Sequence, residues 1–135
     1  MKYPVVIHKD DNSDYSVTIP DLPGCFTAGD TFENAMDMAV EAAELHLEGY
    51  LAEGMDIPAA MNVGEHMTDE AYQGGVWALI DIDLSKLSGK AKRVNITIPE
   101  HILAAIDNYV AASGGNRSAM MTNAAISYMS EHKVN

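Results

Sequence analysis

Only one cysteine, Cys25, occurs in the 135 residues, so no disulfide can close within the chain. Stability has to come from burial or association, and a reducing compartment suits such a chain. Basic residues are equally scarce over most of the length. Residues 1–84 hold two, Lys2 and Lys9, against seventeen carboxylates, a balance of −15. No apolar run approaches the roughly 18 residues of a membrane span, and the N-terminus has no basic stretch leading into an apolar one. A cytoplasmic protein without membrane attachment is expected. His8, His46, His66, His101 and His132 show neither HExxH spacing nor an accompanying cysteine pair, so no metal site is expected. Glycine-rich phosphate motifs are missing as well; GDT at 29–31 and SGK at 88–90 are too short to count, and no cofactor is expected. Cys25 follows Pro-Gly and has no histidine set beside it in sequence, which favours a buried small residue over a nucleophile.

What basic charge there is gathers late. Residues 85–135 carry six basic and three acidic groups, +3, so the two parts of the chain differ in sign within a total of −12. Lys86, Lys90, Lys92 and Arg93 cluster where the sign changes, and LSKLSGKAK has the Gly, Ser and Lys content of a linker. Two modules follow: residues 1–87, a linker at 88–92, and residues 93–135. About 85 residues can bury an independent core, whereas about 45 generally need oligomerisation, metal or disulfides. With the last two excluded, the second module is expected to dimerise.

The first module opens with YPVVIHK and YSVTI around the turn residues DDNSD, then PDLPGCFTAGDT. Asp30 or Thr31 caps a helix, with Glu33 at capping-box distance from Asp30. Phe32, Ala35, Met36, Ala39, Ala43, His46, Leu47 and Tyr50 recur at helical spacing up to Gly54, about 22 residues. His46 reads as a residue at the edge of that core. A looser stretch with Pro58, Gly64 and Gly74-Gly75 leads to a strand in VWALIDIDL, with Trp77 and Leu79 inward and Asp81 and Asp83 on the same phase. The order is β-β-(β)-α-β. Glu33, Asp37, Glu41, Glu44 and Glu48 line one helix face, and residues 31–53 contain no Lys or Arg. Like charges so spaced oppose one another. A basic partner would relieve them, and a merely solvated face is the competing reading. Asp81 and Asp83 as a two-metal nuclease pair lack further placed carboxylates.

The second module begins with RVNITIP. Val94, Ile96 and Ile98 point to one side of a six-residue strand, and Arg93, Asn95 and Thr97 to the other. Arginine suits guanine, asparagine suits adenine, and threonine serves either base or a methyl contact. No tight-turn dipeptide precedes the strand to bring it a partner, so a second copy of the chain is the candidate. Pro99 suits a first helical position, and Ile102, Ile106, Tyr109 and Val110 follow at helical spacing to Gly114 and Gly115. Asn116, Arg117 and Ser118 open another helix, with Met121, Ala125 and Tyr128 on one face, and its N–H groups suit a phosphate. Strand, helix, helix over residues 91–132 resembles the ribbon-helix-helix DNA-binding domain. By that resemblance two chains pair their strands in the major groove. Arg93, Asn95 and Thr97 then face bases, and Asn116, Arg117 and Ser118 hold the backbone. An amphipathic edge strand followed by a helical hairpin is the plainer reading.

PDLPGCFTAGDT before the long helix and WALIDIDLSKL after it resemble the HicB antitoxin family over residues 1–87. The resemblance implies an α+β chain: a degraded RNase H-like β-β-β-α-β domain that occludes a HicA-like RNase toxin, then a DNA-binding domain repressing its own operon. Some members carry a helix-turn-helix there and others a ribbon-helix-helix; this chain is similar to the second kind. Pro23, Gly24, Glu41, Glu44 and Glu48 are the expected toxin-contact residues, and no catalysis is expected. A ligand-sensing repressor whose acidic module binds an effector remains the alternative. Association of the N-terminal modules into a larger assembly also stays open.

Overall fold

The computed structural model describes residues 1–87 and 91–134; most of the expected linker, residues 88–90, lies outside them. Two compact units are present, Met1–Ile82 and Asp83–Asn135.

In the first unit β1 (Lys2–Lys9), β2 (Tyr15–Thr18), β3 (Phe26–Gly29) and β4 (Val76–Asp81) form an antiparallel sheet in the order β3-β2-β1-β4. Central β1 buries five consecutive residues from Tyr3 to Ile7. A strand covered on both faces reads as a continuous apolar run rather than an alternation, which accounts for YPVVI. Tyr3 lies opposite Ile80, Val5 opposite Ala78 and Ile7 opposite Val17, so these residues share one face. Helix α1 (Phe32–Ala52) lies on it, with Phe32 edge-on to Tyr15 and Ala35, Ala39, Ala43 and Leu47 buried. Thr31 is the cap: its Oγ1 accepts the Asn34 N–H at 3.0 Å, and Asn34 Oδ1 accepts the Asp30 N–H at 3.2 Å. The return half of the capping arrangement therefore falls to Asn34 rather than Glu33.

Alanines on the buried stripe bring α1 close to β3. A Cβ built at Gly29 would overlap the backbone N and Cα of Ala35, and main chain cannot swing aside. Gly29→Val is expected to destabilise the first unit by about 3 kcal/mol, the upper end of overpacking costs. Urea denaturation of the full chain measures this, and an unchanged midpoint would contradict the close approach.

Trp77 and Leu79 do not point inward. Ile80 is buried against the helix-bearing face and Leu79 is 53 % exposed, so β4 has the opposite phase to the one expected. The cause lies in the stretch after α1, where α2 (Val63–His66) and a 3-10 turn at Glu70–Tyr72 provide a second cover. His66 stacks on Trp77 with ring centroids 6.1 Å apart, and Tyr72 meets Trp77 edge-on. His66 Nε2 lies 2.9 Å from Asp21 Oδ1, while Asp21 Oδ2 accepts the Met61 N–H at 3.2 Å. Tryptophan is thus accommodated on the outer face by aromatic neighbours. The Tyr3 hydroxyl donates to the Pro58 carbonyl at 2.7 Å. Burial, then the nearby Asp21 carboxylate, push its pKa far above the ordinary tyrosine value, so it remains a donor.

The second unit holds a 3-10 turn at Leu84–Lys86, α3 (Glu100–Ser113) and α4 (Arg117–Glu131). Gly114 ends α3 in the left-handed region at φ 79°, and its N–H reaches the Val110 carbonyl, as an αL cap requires. Pro99 sits just before the first helical residue rather than on it, a one-residue difference. Leu84 is the only buried apolar residue among the described residues of this unit; α3 buries none, and Tyr109, Tyr128 and Met129 are exposed. No helix among the described residues is long and apolar enough to cross a membrane.

Candidate interaction surfaces

The loop at Pro23, Gly24 and Cys25, which follows β2, lies beside α1. Between them is an open groove of about 600 Å³, lined also by Phe26, Ala42, Leu45, His46, Gly49, Tyr50, Glu53 and Met55. Gly24 takes φ 81°, a conformation that favours glycine and lets the loop turn tightly. Phe26 is 69 % and Leu45 72 % exposed, two large apolar side chains facing solvent. Cys25 is buried in the groove wall, which raises its thiol pKa and keeps it protonated. Two expected contact residues, Pro23 and Gly24, thus line this groove. Glu41 and Glu44 are exposed and Glu48 half-buried on the same helix, with Glu41 and Glu48 four and three residues from Leu45. Leu45 therefore stands between the acidic face and the groove. Sequence reading missed Leu45 and Gly49. Their signal was an apolar residue and a glycine off the buried stripe.

Asp81 and Asp83 do not form a pair on one strand. β4 ends at Asp81, and Asp83 instead caps the following turn. Asp83 Oδ1 accepts from the Ser85 hydroxyl at 2.6 Å, the Ser85 N–H at 3.1 Å and Asn123 Nδ2 at 2.7 Å, while Asn123 Oδ1 accepts the Ser85 N–H at 3.0 Å. These bonds fasten the turn to α4. They hold the carboxyl below its ordinary value of 3.8, the Ser85 hydroxyl contributing most and Asn123 next. A depressed folded-state pKa stabilises fully above the ordinary carboxylate range, and that contribution disappears as pH falls through the folded value. The melting-temperature gap between the wild-type chain and Asp83→Asn is accordingly expected to narrow from pH 6 to pH 3; a constant gap would contradict the clamp. Among the described residues no three His, Cys, Asp or Glu side chains are grouped to hold a metal ion.

Residues 93–99 pair with no strand among the described residues. Arg93, Asn95 and Thr97 are exposed, and so are Val94 at 70 % and Ile96 at 62 %. Both sides of the segment are open in the single chain. At the start of α4, Asn116 Oδ1 accepts the Ala119 N–H at 2.9 Å. Arg117 folds back onto α3, its Nε and Nη2 donating to the two Asp107 oxygens at 2.6 and 2.8 Å. The Arg117 guanidinium holds Asp107 below its usual carboxylate value. Asn116, Arg117 and Ser118 do meet at one helix start, and Arg117 already has an anionic partner there. Any phosphate competes with Asp107 for that fork.

An acidic sheet-and-helix unit, followed by a helical unit with an unpaired extended segment and exposed apolar side chains, makes this a two-unit α+β protein. The family model for the HicB-like antitoxin of bacterial toxin-antitoxin systems matches residues 3–125, and the chain belongs to that family. It is 40 % identical over 111 residues to a 14.9 kDa protein from the rep-hol intergenic region of Haemophilus phage HP1 (strain HP1c1), covering 82 % of this chain and 83 % of that one. The crystal structure of the Burkholderia pseudomallei antitoxin HicB matches with a TM-score of 0.81 and 38 % identity, over 96 % of this chain and 98 % of that chain. A chain of a HicA3 and HicB3 toxin-antitoxin complex matches with a TM-score of 0.51 and 31 % identity, over 62 % of this chain and 99 % of that one.

Proposed function

We propose that this chain neutralises a HicA-like RNase toxin by stoichiometric binding through residues 1–87 and represses its own operon as a dimer through residues 93–135. In this reading the first unit is a degraded RNase H-like domain that contributes no catalysis. The second is a ribbon-helix-helix domain. Family membership supports the antitoxin role. The observation that carries the DNA-binding half is the segment 93–99, whose backbone has no strand partner among the described residues while Val94 and Ile96 stay exposed. Pairing two such segments antiparallel gives the facing edge of each backbone its hydrogen bonds and turns both apolar sides toward the helices. Arg93, Asn95 and Thr97 then share the opposite side, where base edges are read.

Co-expression with a HicA-like protein from the same genome, followed by purification and native mass measurement, tests partner and stoichiometry together. A chain recovered alone would count against toxin binding. Arg93→Ala is expected to weaken operator binding by about 1–3 kcal/mol at fixed salt. Unchanged specific affinity would remove Arg93 from the groove. The alternative, an effector-sensing repressor, would place a small molecule in the groove beside α1. A drug-sized ligand is ordinarily enclosed over most of its surface, which so open a groove does not offer.

A further inference from the structure

The groove between the Pro23–Cys25 loop and α1 has three properties that together describe an occupant. Its first is apolar surface without cover: Phe26 and Leu45 face solvent on its two walls. Large apolar side chains exposed side by side around a concavity mark contact sites, whereas scattered ones need no explanation. The second is unused space. Gly49 lies inside α1, where glycine costs about 1 kcal/mol relative to alanine. A Cβ built there meets nothing within 4 Å, so packing among the described residues does not call for glycine at this position. The third is charge. Glu53 lines the groove, and Glu41 and Glu48 flank Leu45 on the same helix, with no Lys or Arg anywhere in residues 31–53 to neutralise them.

We infer that this groove is where the toxin docks, and that the element it receives is an apolar side chain set over Gly49 between Phe26 and Leu45, with Lys or Arg on either side facing Glu41, Glu48 and Glu53. This rests on the toxin-binding reading above and specifies its contact chemistry. Interfaces concentrate their energy in an apolar anchor buried at the centre, with charges at the rim that govern encounter more than holding strength. Here Leu45, Gly49 and the flanking carboxylates are carried by α1 and its C-cap, and Phe26 at the start of β3 forms the opposite wall. Gly49 sets the depth of the seat, and Leu45 separates the seat from the carboxylates.

The test uses the full chain and a HicA-like protein from the same genome, with affinity and association rate measured at low and high salt. Gly49→Trp projects an indole into the seat from the antitoxin side, and the Cβ through which it leaves the helix meets no atom within 4 Å. It should weaken the complex by at least about 30-fold, the loss expected when a central anchor is displaced. Leu45→Lys, at a position already exposed and so harmless to folding, should do the same by repelling the basic flanks. The triple change Glu41→Gln, Glu48→Gln and Glu53→Gln should slow association about tenfold at low salt and little at high salt. Wild-type affinity in both Gly49→Trp and Leu45→Lys would overturn the groove while leaving the antitoxin reading intact. No complex with the wild-type chain would overturn that reading, and this inference with it. A change in the number of copies in the free protein on Gly49→Trp would make the groove a contact between copies of this chain, which also overturns the proposal.

Discussion

A full-length chain carrying Val94→Asp and Ile96→Asp is expected to lose specific DNA binding by more than about a thousandfold, with its C-terminal units no longer paired. In the single chain both residues lie largely open to water, so neither substitution places a carboxylate in a buried position there. Their effect appears only when a second chain arrives. An antiparallel ribbon would bring four carboxylates onto its inner side, against the helices. Each desolvated, unpaired charge costs several kcal/mol, far more than the net worth of a short ribbon's hydrogen bonds. Nothing else within the unit can compensate, because Leu84 is its only buried apolar residue among those described. Sedimentation of the isolated second unit and operator binding by the full chain at one fixed salt concentration give the two readouts. The conservative pair Val94→Ile and Ile96→Val keeps both properties. A doubly charged variant that still bound its operator would show that residues 93–98 do not form the ribbon.

Elements whose signals are local were legible in the sequence. α1 ends at Ala52, two residues before Gly54 adopts φ 69°, with Glu53 as its C-cap; α3 begins within one position of Pro99 and stops at Gly114, and α4 opens from Asn116. Strand phase was less legible, for a physical reason. Trp77 looks like core in a linear reading, yet its cover comes from His66 and Tyr72, which belong to a stretch with no strong periodicity. Phase follows whichever face has more cover, and that depends on the fold. Side-chain pairs distant in sequence were equally out of reach. Arg117 reads as a free cation until α3 and α4 fold back and Asp107 meets it. Asp83 reads as a strand residue until Asn123, forty positions later, joins its cap. The groove belongs with these cases: Pro23 and Gly24 stood out as a turn, but only the packing of that turn beside α1 shows Leu45 and Gly49 as its opposite wall.

Removing residues 89–135 should abolish DNA binding and change toxin affinity by less than about threefold. The first outcome follows from loss of the extended segment and of both helices that would carry the ribbon. The second depends on whether the acidic unit stands alone. Its core is closed within Met1–Ile82: β1 is buried on both faces, α1 covers one side, the His66–Trp77–Tyr72 cluster covers part of the other, and the Ile82 N–H is held by the Met1 carbonyl at 2.9 Å. The cut does leave two residues without their partners, because Leu84 is buried in a turn that packs on α4 and Asp83 is bonded to Asn123 there. A chain ending at Ile82 removes that stub and should be the better-behaved of the two. Calorimetry with the HicA-like protein and gel shifts with operator DNA compare both truncations with the full chain. Should the shorter chain fold, as judged by its melting transition, and yet fail to bind toxin, the division of labour between the units is wrong and the toxin must also grip residues beyond Ile82.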